Sequence, residues 1–114
     1  MTIIIAGSID MAPENVQKAL ETGEPLITGA KTQDGCLNYE WTIDPSTAGR
    51  IWVYERWASQ EALANHFQNH WYTDMRDALG GFGITGTSIQ KYRVDAEEPV
   101  YDETMTPRAD FFTV

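Results

Sequence analysis

Ile51-Trp52-Val53-Tyr54-Glu55-Arg56-Trp57, running into Ala58-Ser59-Gln60-Glu61-Ala62-Leu63-Ala64-Asn65-His66-Phe67-Gln68-Asn69-His70-Trp71, decides the fold. β-Branched and aromatic residues dominate the first seven positions, which predicts a strand. Ser59 then offers an N-cap hydroxyl, and Glu61 places negative charge in the first helical turn. Leu63, His66, Phe67, His70 and Trp71 follow the i, i+3, i+4, i+7 spacing of one helix face. Met75 and Leu79 extend that stripe, so the pattern predicts one helix from Ser59 to Leu79, ended by Gly80-Gly81-Phe82-Gly83. Both histidines of the chain fall on its apolar face.

The flanks supply the remaining elements. Cys36 to Trp57 reads as a hairpin, with Leu37, Tyr39, Trp41 and Ile43 alternating against Asn38, Glu40 and Thr42. Its connection is the turn-forming loop Asp44-Pro45-Ser46-Thr47-Ala48-Gly49. Asp34-Gly35 marks the turn before it. The apolar run Thr2 to Ile9 predicts a first strand. Pro13 and Glu14 suit the start of a helix, and Val16, Leu20, Gly23, Ile27 and Ala30 hold one helical phase. Pro25 has no N–H for the carbonyl of Glu21, which predicts a kink or two short helices with a break near Gly23. Ile84 to Val94 reads as the last strand. The order β, α, β, β, α, β is α+β and ferredoxin-like: a four-stranded antiparallel sheet with two helices on one face.

In that topology one sheet face has no cover. Ile51, Val53, Glu55 and Trp57 share one face of their strand, and Trp52, Tyr54 and Arg56 the other. An open face with aromatics predicts an interface, and a homodimer with facing sheets is the expectation. Residues 1–94 read as one domain, and residues 95–114 as an acidic tail. Val100, Tyr101, Met105, Phe111 and Phe112 are out of place in a disordered tail, so it is expected to pack on the partner subunit.

The chain has 114 residues and a formal charge of -9. The tail holds six acids against Arg108 alone, more than half of that charge. Such a balance repels phosphate backbones and anionic lipid, so neither nucleic acid nor a membrane is an expected partner. No apolar run approaches the roughly 18 residues of a membrane span, and Thr2 to Ala6 is too short for a signal peptide. Cys36 is the single cysteine, which rules out an intramolecular disulfide and leaves the cytoplasm as the expected compartment. Cys36 carries no motif and reads as a small packing residue.

Glu55-Arg56-Trp57-Ala58-Ser59, with Ala62-Leu63-Ala64-Asn65-His66, resembles the signature of the antibiotic biosynthesis monooxygenase (ABM) family. Asp34-Gly35-Cys36-Leu37-Asn38-Tyr39-Glu40 is similar to the turn and second strand of that family. The resemblance covers residues 2 to 94. It implies a dimeric α+β barrel and a monooxygenase that works without flavin or metal on a small aromatic, quinol or polyketide-like substrate. It also places a frequent histidine at His66.

The candidate site is built on that helix. A neutral imidazole can take a proton from a phenol or enol, so His66 and then His70 are the catalytic candidates. Their spacing can also chelate a metal with Asp74, but no Glu follows His66 as in the zinc protease motif, and no metal is expected. Trp57, Tyr39, Trp41, Phe67, Trp71 and Tyr72 can wall a flat aromatic pocket, and Asn38 can anchor a polar group. Glu55 lies in phase with Val53 and Trp57, so it is either paired, with Arg56 or Arg76 nearby, or raised in pKa by its apolar neighbours, and the ion pair is the expectation. Gly81 to Gly86 matches Gly-x-Gly-x-x-Gly, but it follows a helix and opens a strand, the reverse of a dinucleotide site. The alternatives are haem binding with His66 or His70 as axial ligand, a small-metabolite isomerase, and a non-catalytic dimeric binding module.

Overall fold

The central strand pair is Ile3–Asp10 (β1) against Arg50–Trp57 (β3), antiparallel, with Ile5 opposite Glu55 and Gly7 opposite Val53. Cys36–Ile43 (β2) flanks β3, and Gly86–Arg93 (β4) flanks β1, giving the order β2-β3-β1-β4. The computed structural model describes residues 1–113; the last residue of the tail lies outside them. Val16–Ala30 (α1), Gln60–Phe67 (α2) and Gly-ended His70–Gly80 (α3) cover one face of this sheet. The ferredoxin-like arrangement is therefore as expected, with three helices where two were read.

The third helix arises because the stretch 59–79 breaks. Ser59 caps α2 by accepting the N–H of Ala62 at 3.0 Å. Gln68 ends it, and Asn69 turns extended at φ -91° and ψ 151°. The Asn69 side chain accepts the N–H of Trp71 at 3.0 Å and so starts α3. Asparagine is among the best N-caps, and here its local bond outweighs the continuity of the apolar stripe. One consequence is that His66 and His70 do not share a face. His66 is fully buried in α2, while His70 is exposed at the head of α3.

The opposite correction applies to α1. A short 3-10 turn over Pro13–Asn15 leads into one continuous helix through Pro25. Pro25 and Glu21 both lie on the exposed side, where water can serve the unbonded carbonyl. Val16, Ala19, Gly23, Gly29 and Ala30 are buried on the other side and hold the helix across the proline. Gly29 permits this packing. A Cβ there would lie 2.5 Å from the indole of Trp71 on α3.

β2 and β4 also depart from the expected alternation. Cys36 pairs with Trp57 and Asn38 with Arg56, so Leu37 is the extra residue of a bulge and is exposed. Tyr39, Trp41 and Ile43 keep the helix-facing side. β4 starts two residues later than expected, at Gly86, although Thr85 still donates to the Asp10 carbonyl. Gly7 allows β4 to approach β1. A Cβ on Gly7 would lie 2.0 Å from the Ser88 carbonyl oxygen.

Two apolar clusters fill the layer between sheet and helices. One holds Ile9, Met11, Val16, Ile51, Val53, Met75 and Leu79. The other holds Ile3, Ile5, Ala30, Tyr39, Trp57 and Leu63. Trp52, Tyr54 and Tyr92 stand on the far face, 42%, 39% and 51% exposed, so that face is aromatic and uncovered in the single chain. The tail folds on itself: Tyr101 bridges Pro107, and Glu98 accepts the N–H groups of Phe112 and Thr113. Its tie to the sheet is an ion pair between Glu97 and Arg56 of β3.

Candidate functional site

The helix-facing side of β1, β2 and β3 and the inner side of α3 enclose a cavity of about 260 Å³. That volume lies just below the ~300–1,000 Å³ common for small-ligand sites, which suits a small ligand. Tyr39 and Trp41 come from β2, and Val53 and Glu55 from β3. Phe67 closes the end of α2, while Tyr72, Met75, Arg76 and Leu79 descend from α3. Ile84 and Ile89, both 39% exposed, stand at its rim beside β4. The walls are apolar and aromatic, as a flat hydrophobic ligand requires.

Glu55 is the one carboxylate among the wall residues. It is 7% exposed and pairs with no cation among the described residues. The expected ion pair is absent for a geometric reason. Arg56, next along the strand, points to the open face and bonds Glu97 at 2.5 Å. Arg76 lies 3.5 Å from Asp77 and rests over the ring of Tyr72. The partner Glu55 does have is the indole N–H of Trp57, which donates to Oε1 at 3.0 Å. Burial pushes the carboxyl up to about 7, and the Trp57 bond holds it from rising further.

His66 sits one layer behind this wall. Its ring packs on Trp57, with centroids 4.5 Å apart, and meets Tyr39 and Tyr72 edge-on at 5.3 and 5.5 Å. Nδ1 lies 2.6 Å from Gln33 Oε1, on the turn that follows α1. With an amide oxygen opposite it, Nδ1 carries the proton and Nε2 is left as an acceptor without a partner. Burial pushes this imidazole down to about 4, so it is neutral through the physiological range. Trp41 Nε1, on a residue of the cavity wall, is a second buried nitrogen without a hydrogen bond.

The sequence-predicted residues separate into three groups. Phe67 and Tyr72 line the cavity, together with Tyr39 and Trp41. Trp57 and His66 lie behind the wall, Trp57 fully buried and bonded to Glu55. Asn38, His70 and Trp71 stand away from it. Asn38 pairs with Arg56 on the open face of the sheet, His70 stacks on Trp71 at 4.0 Å, and Trp71 packs on Gly29. Glu55 and Arg76 are the charged wall residues that sequence reasoning did not assign to the site, and Ile5, Ile9, Val53, Met75, Leu79, Ile84 and Ile89 complete the wall. For Glu55 the signal existed, an acid in phase with Val53 and Trp57. No group of three or more potential metal-ligating side chains converges among the described residues.

Known proteins share this fold. The profile of the family described as "Antibiotic biosynthesis monooxygenase" matches residues 2–78. A crystal structure from Deinococcus radiodurans, named as a candidate enzyme of that kind, superposes with a TM-score of 0.79 at 22% identity. That match covers 88% of this chain and 99% of the other. A similarly named protein from Caulobacter crescentus CB15 gives a TM-score of 0.75 at 24% identity, over 85% and 91% of the two chains. An uncharacterized protein of Synechocystis sp. is 24% identical over 92 residues, 81% of this chain. The chain spans 63% of the length of that relative. At these identities the structural likeness establishes the fold.

Proposed function

Because the chain belongs to the antibiotic biosynthesis monooxygenase family, we propose that it is a monooxygenase acting on a small aromatic, quinol or polyketide-like substrate without flavin or metal. The observation that supports this reading is the cavity, with aromatic walls and a buried carboxyl that has no counter-ion. A substrate that is itself electron-rich can serve as the reductant. Loss of a phenolic or enolic proton gives an anion that transfers electrons to dioxygen. One oxygen atom enters the ring carbon and the other leaves as water, so that 1-naphthol and O2 would give a naphthoquinone and water. The protein then needs to supply a dry pocket, orientation and a proton acceptor.

The test is oxygen uptake by the metal-free protein with a panel of naphthols, hydroquinones and anthrones. Protein-dependent uptake with quinone formation supports the reading. No uptake, with thermal stabilisation by the same compounds, favours the non-catalytic binding module instead. Haem binding is the weaker alternative on geometry. An axial ligand needs an imidazole nitrogen facing the cavity, and neither His66 nor His70 is part of its wall.

A homodimer through the open sheet face belongs to the same proposal. Trp52, Tyr54 and Tyr92 form the exposed apolar surface that a second copy would bury, and the Arg56–Glu97 pair fixes the start of the tail beside it. The tail keeps Val100, Tyr101, Met105 and Phe111 exposed while ordered by its own hydrogen bonds, which suits an arm that reaches the partner. No helix among the described residues is long and apolar enough to cross a membrane.

A further inference from the structure

We propose that Glu55 is the general base of the cavity, its free carboxylate oxygen taking the hydroxyl proton of a phenolic or enolic ligand. The assignment rests on the reading of the cavity as a substrate site and names the group that works there. Three observations carry it. Glu55 forms part of the wall, while His66 has no exposed surface and lies behind Tyr39 and Tyr72. Only Oε1 is engaged, by the Trp57 N–H, and a single donor on one oxygen fixes the carboxyl plane while leaving Oε2 open. No cation neutralises the group, so its charge is available to a ligand rather than spent on an ion pair.

The surroundings favour this use. From β2, Tyr39 and Cys36 face Glu55, and burial raises both above their ordinary ranges, so neither competes as a base near neutrality. From α2 comes His66, held neutral by burial. From α3 come Tyr72 and Arg76, the latter engaged with Asp77 and the Tyr72 ring. From β1 the neighbour is Ile5, and beyond it Lys91 on β4, two strands away. Glu55 is thus the group whose ionisation changes near pH 7 at the cavity wall. The step is a simple transfer: the ligand O–H bond breaks, Oε2–H forms, and the negative charge moves to the aryloxide or enolate oxygen.

The test is equilibrium binding of 1-naphthol and of its methyl ether from pH 5.5 to 8.5, for the wild type and Glu55→Gln. The glutamine keeps the shape and the acceptor for Trp57 but cannot take a proton, and ether binding verifies that its cavity is intact. The wild type should prefer the naphthol over the ether about tenfold at pH 8.5, with the preference fading as pH falls through about 7. In Glu55→Gln the preference should be small and flat with pH. A preference that persists with its pH dependence in Glu55→Gln, or that is absent from the wild type, overturns the proposal. Should the variant fail to bind the ether, an infrared titration of the wild-type carboxyl decides: naphthol must lower the Glu55 midpoint, and an unchanged or raised midpoint overturns the assignment. If the binding pattern is as expected while no phenol is oxidised, the monooxygenase reading fails and the role of Glu55 stands.

Discussion

Trp57 and Glu55 lie two residues apart on one strand, on the same buried face, and the indole of the first donates its N–H to the carboxylate of the second at 3.0 Å. The fully buried tryptophan is thereby a dipole aimed at a titrating acid. Trp57→Phe keeps most of the ring volume and deletes the donor. The Glu55 carboxyl should move above about 7, because the one bond that favours its ionised form is gone. Stability at pH 8 should fall by about 1–3 kcal/mol, and less at pH 5, where the acid is neutral in either protein. Denaturant unfolding at the two pH values reads this directly, and equal losses at both would contradict it.

Glu55→Gln should stabilise the fold in alkaline solution. The carboxyl titrates at about 7 in the folded chain and at the ordinary 4.5 when exposed. The unfolded chain therefore releases its proton first, and stability declines as pH rises from 4.5 to 7, by up to about 3 kcal/mol, then levels. The glutamine variant lacks this decline. It should exceed the wild type by about 1–3 kcal/mol at pH 8 and match it near pH 4. A variant less stable than the wild type at pH 8 would show that the charge is compensated in the fold.

His66 works in the opposite sense. Its imidazole is held at about 4 in the fold, against 6.5 when exposed. The unfolded chain takes up the proton first, so stability falls as pH drops from 6.5 to 4, by up to about 3 kcal/mol, and levels below that. Since Glu55 titrates over an overlapping range with the other sign, the measurement belongs in the Glu55→Gln background. There His66→Phe should abolish the slope between pH 6.5 and 4, and its persistence would assign the slope to another group.

Gly29→Ala tests the contact between α1 and α3. Alanine is ordinarily the better helix former by roughly 1 kcal/mol. Here its Cβ would lie 2.5 Å from the Trp71 indole, a rigid ring that cannot bend away locally. The strain should outweigh the propensity, leaving the variant about 1–3 kcal/mol less stable by thermal or denaturant unfolding. Gly29→Ala combined with Trp71→Leu should recover part of the loss.

Trp52→Glu places a charge in the middle of the open face, where the wild-type indole is 42% exposed and bonded to Asp44. If that face is the dimer interface, the wild type should sediment as a dimer at micromolar concentration and the variant as a monomer. A monomeric wild type would refute the facing-sheet dimer outright.

The order of strands and helices was legible because burial writes its period into the sequence. Tyr39, Trp41, Val53 and Trp57 alternate as a covered sheet face requires, and Ser59 caps the helix its hydroxyl predicts. Pro25 and Asn69 reversed the expected continuity for related reasons. A proline on a solvated side leaves its helix whole, whereas an asparagine with a free N–H two residues ahead can divide one. In the candidate site, Phe67 and Tyr72 were readable from the stripe. Trp71 belongs to the same stripe but is taken up by Gly29, a contact set by two helices meeting in space. The environment of Glu55 was hidden for a similar reason. Sequence puts Arg56 beside it, but the pleat sends neighbouring side chains to opposite faces.

β4 adds Ile89 to the cavity rim, yet none of its residues belongs to the buried core. The rim that an incoming molecule meets first therefore lies outside the core, although the walls behind it are drawn from the core itself. Residues 84–89 can change in size or polarity without drawing on core packing, so ligand preference in this scaffold is free to diverge faster than the fold that carries it.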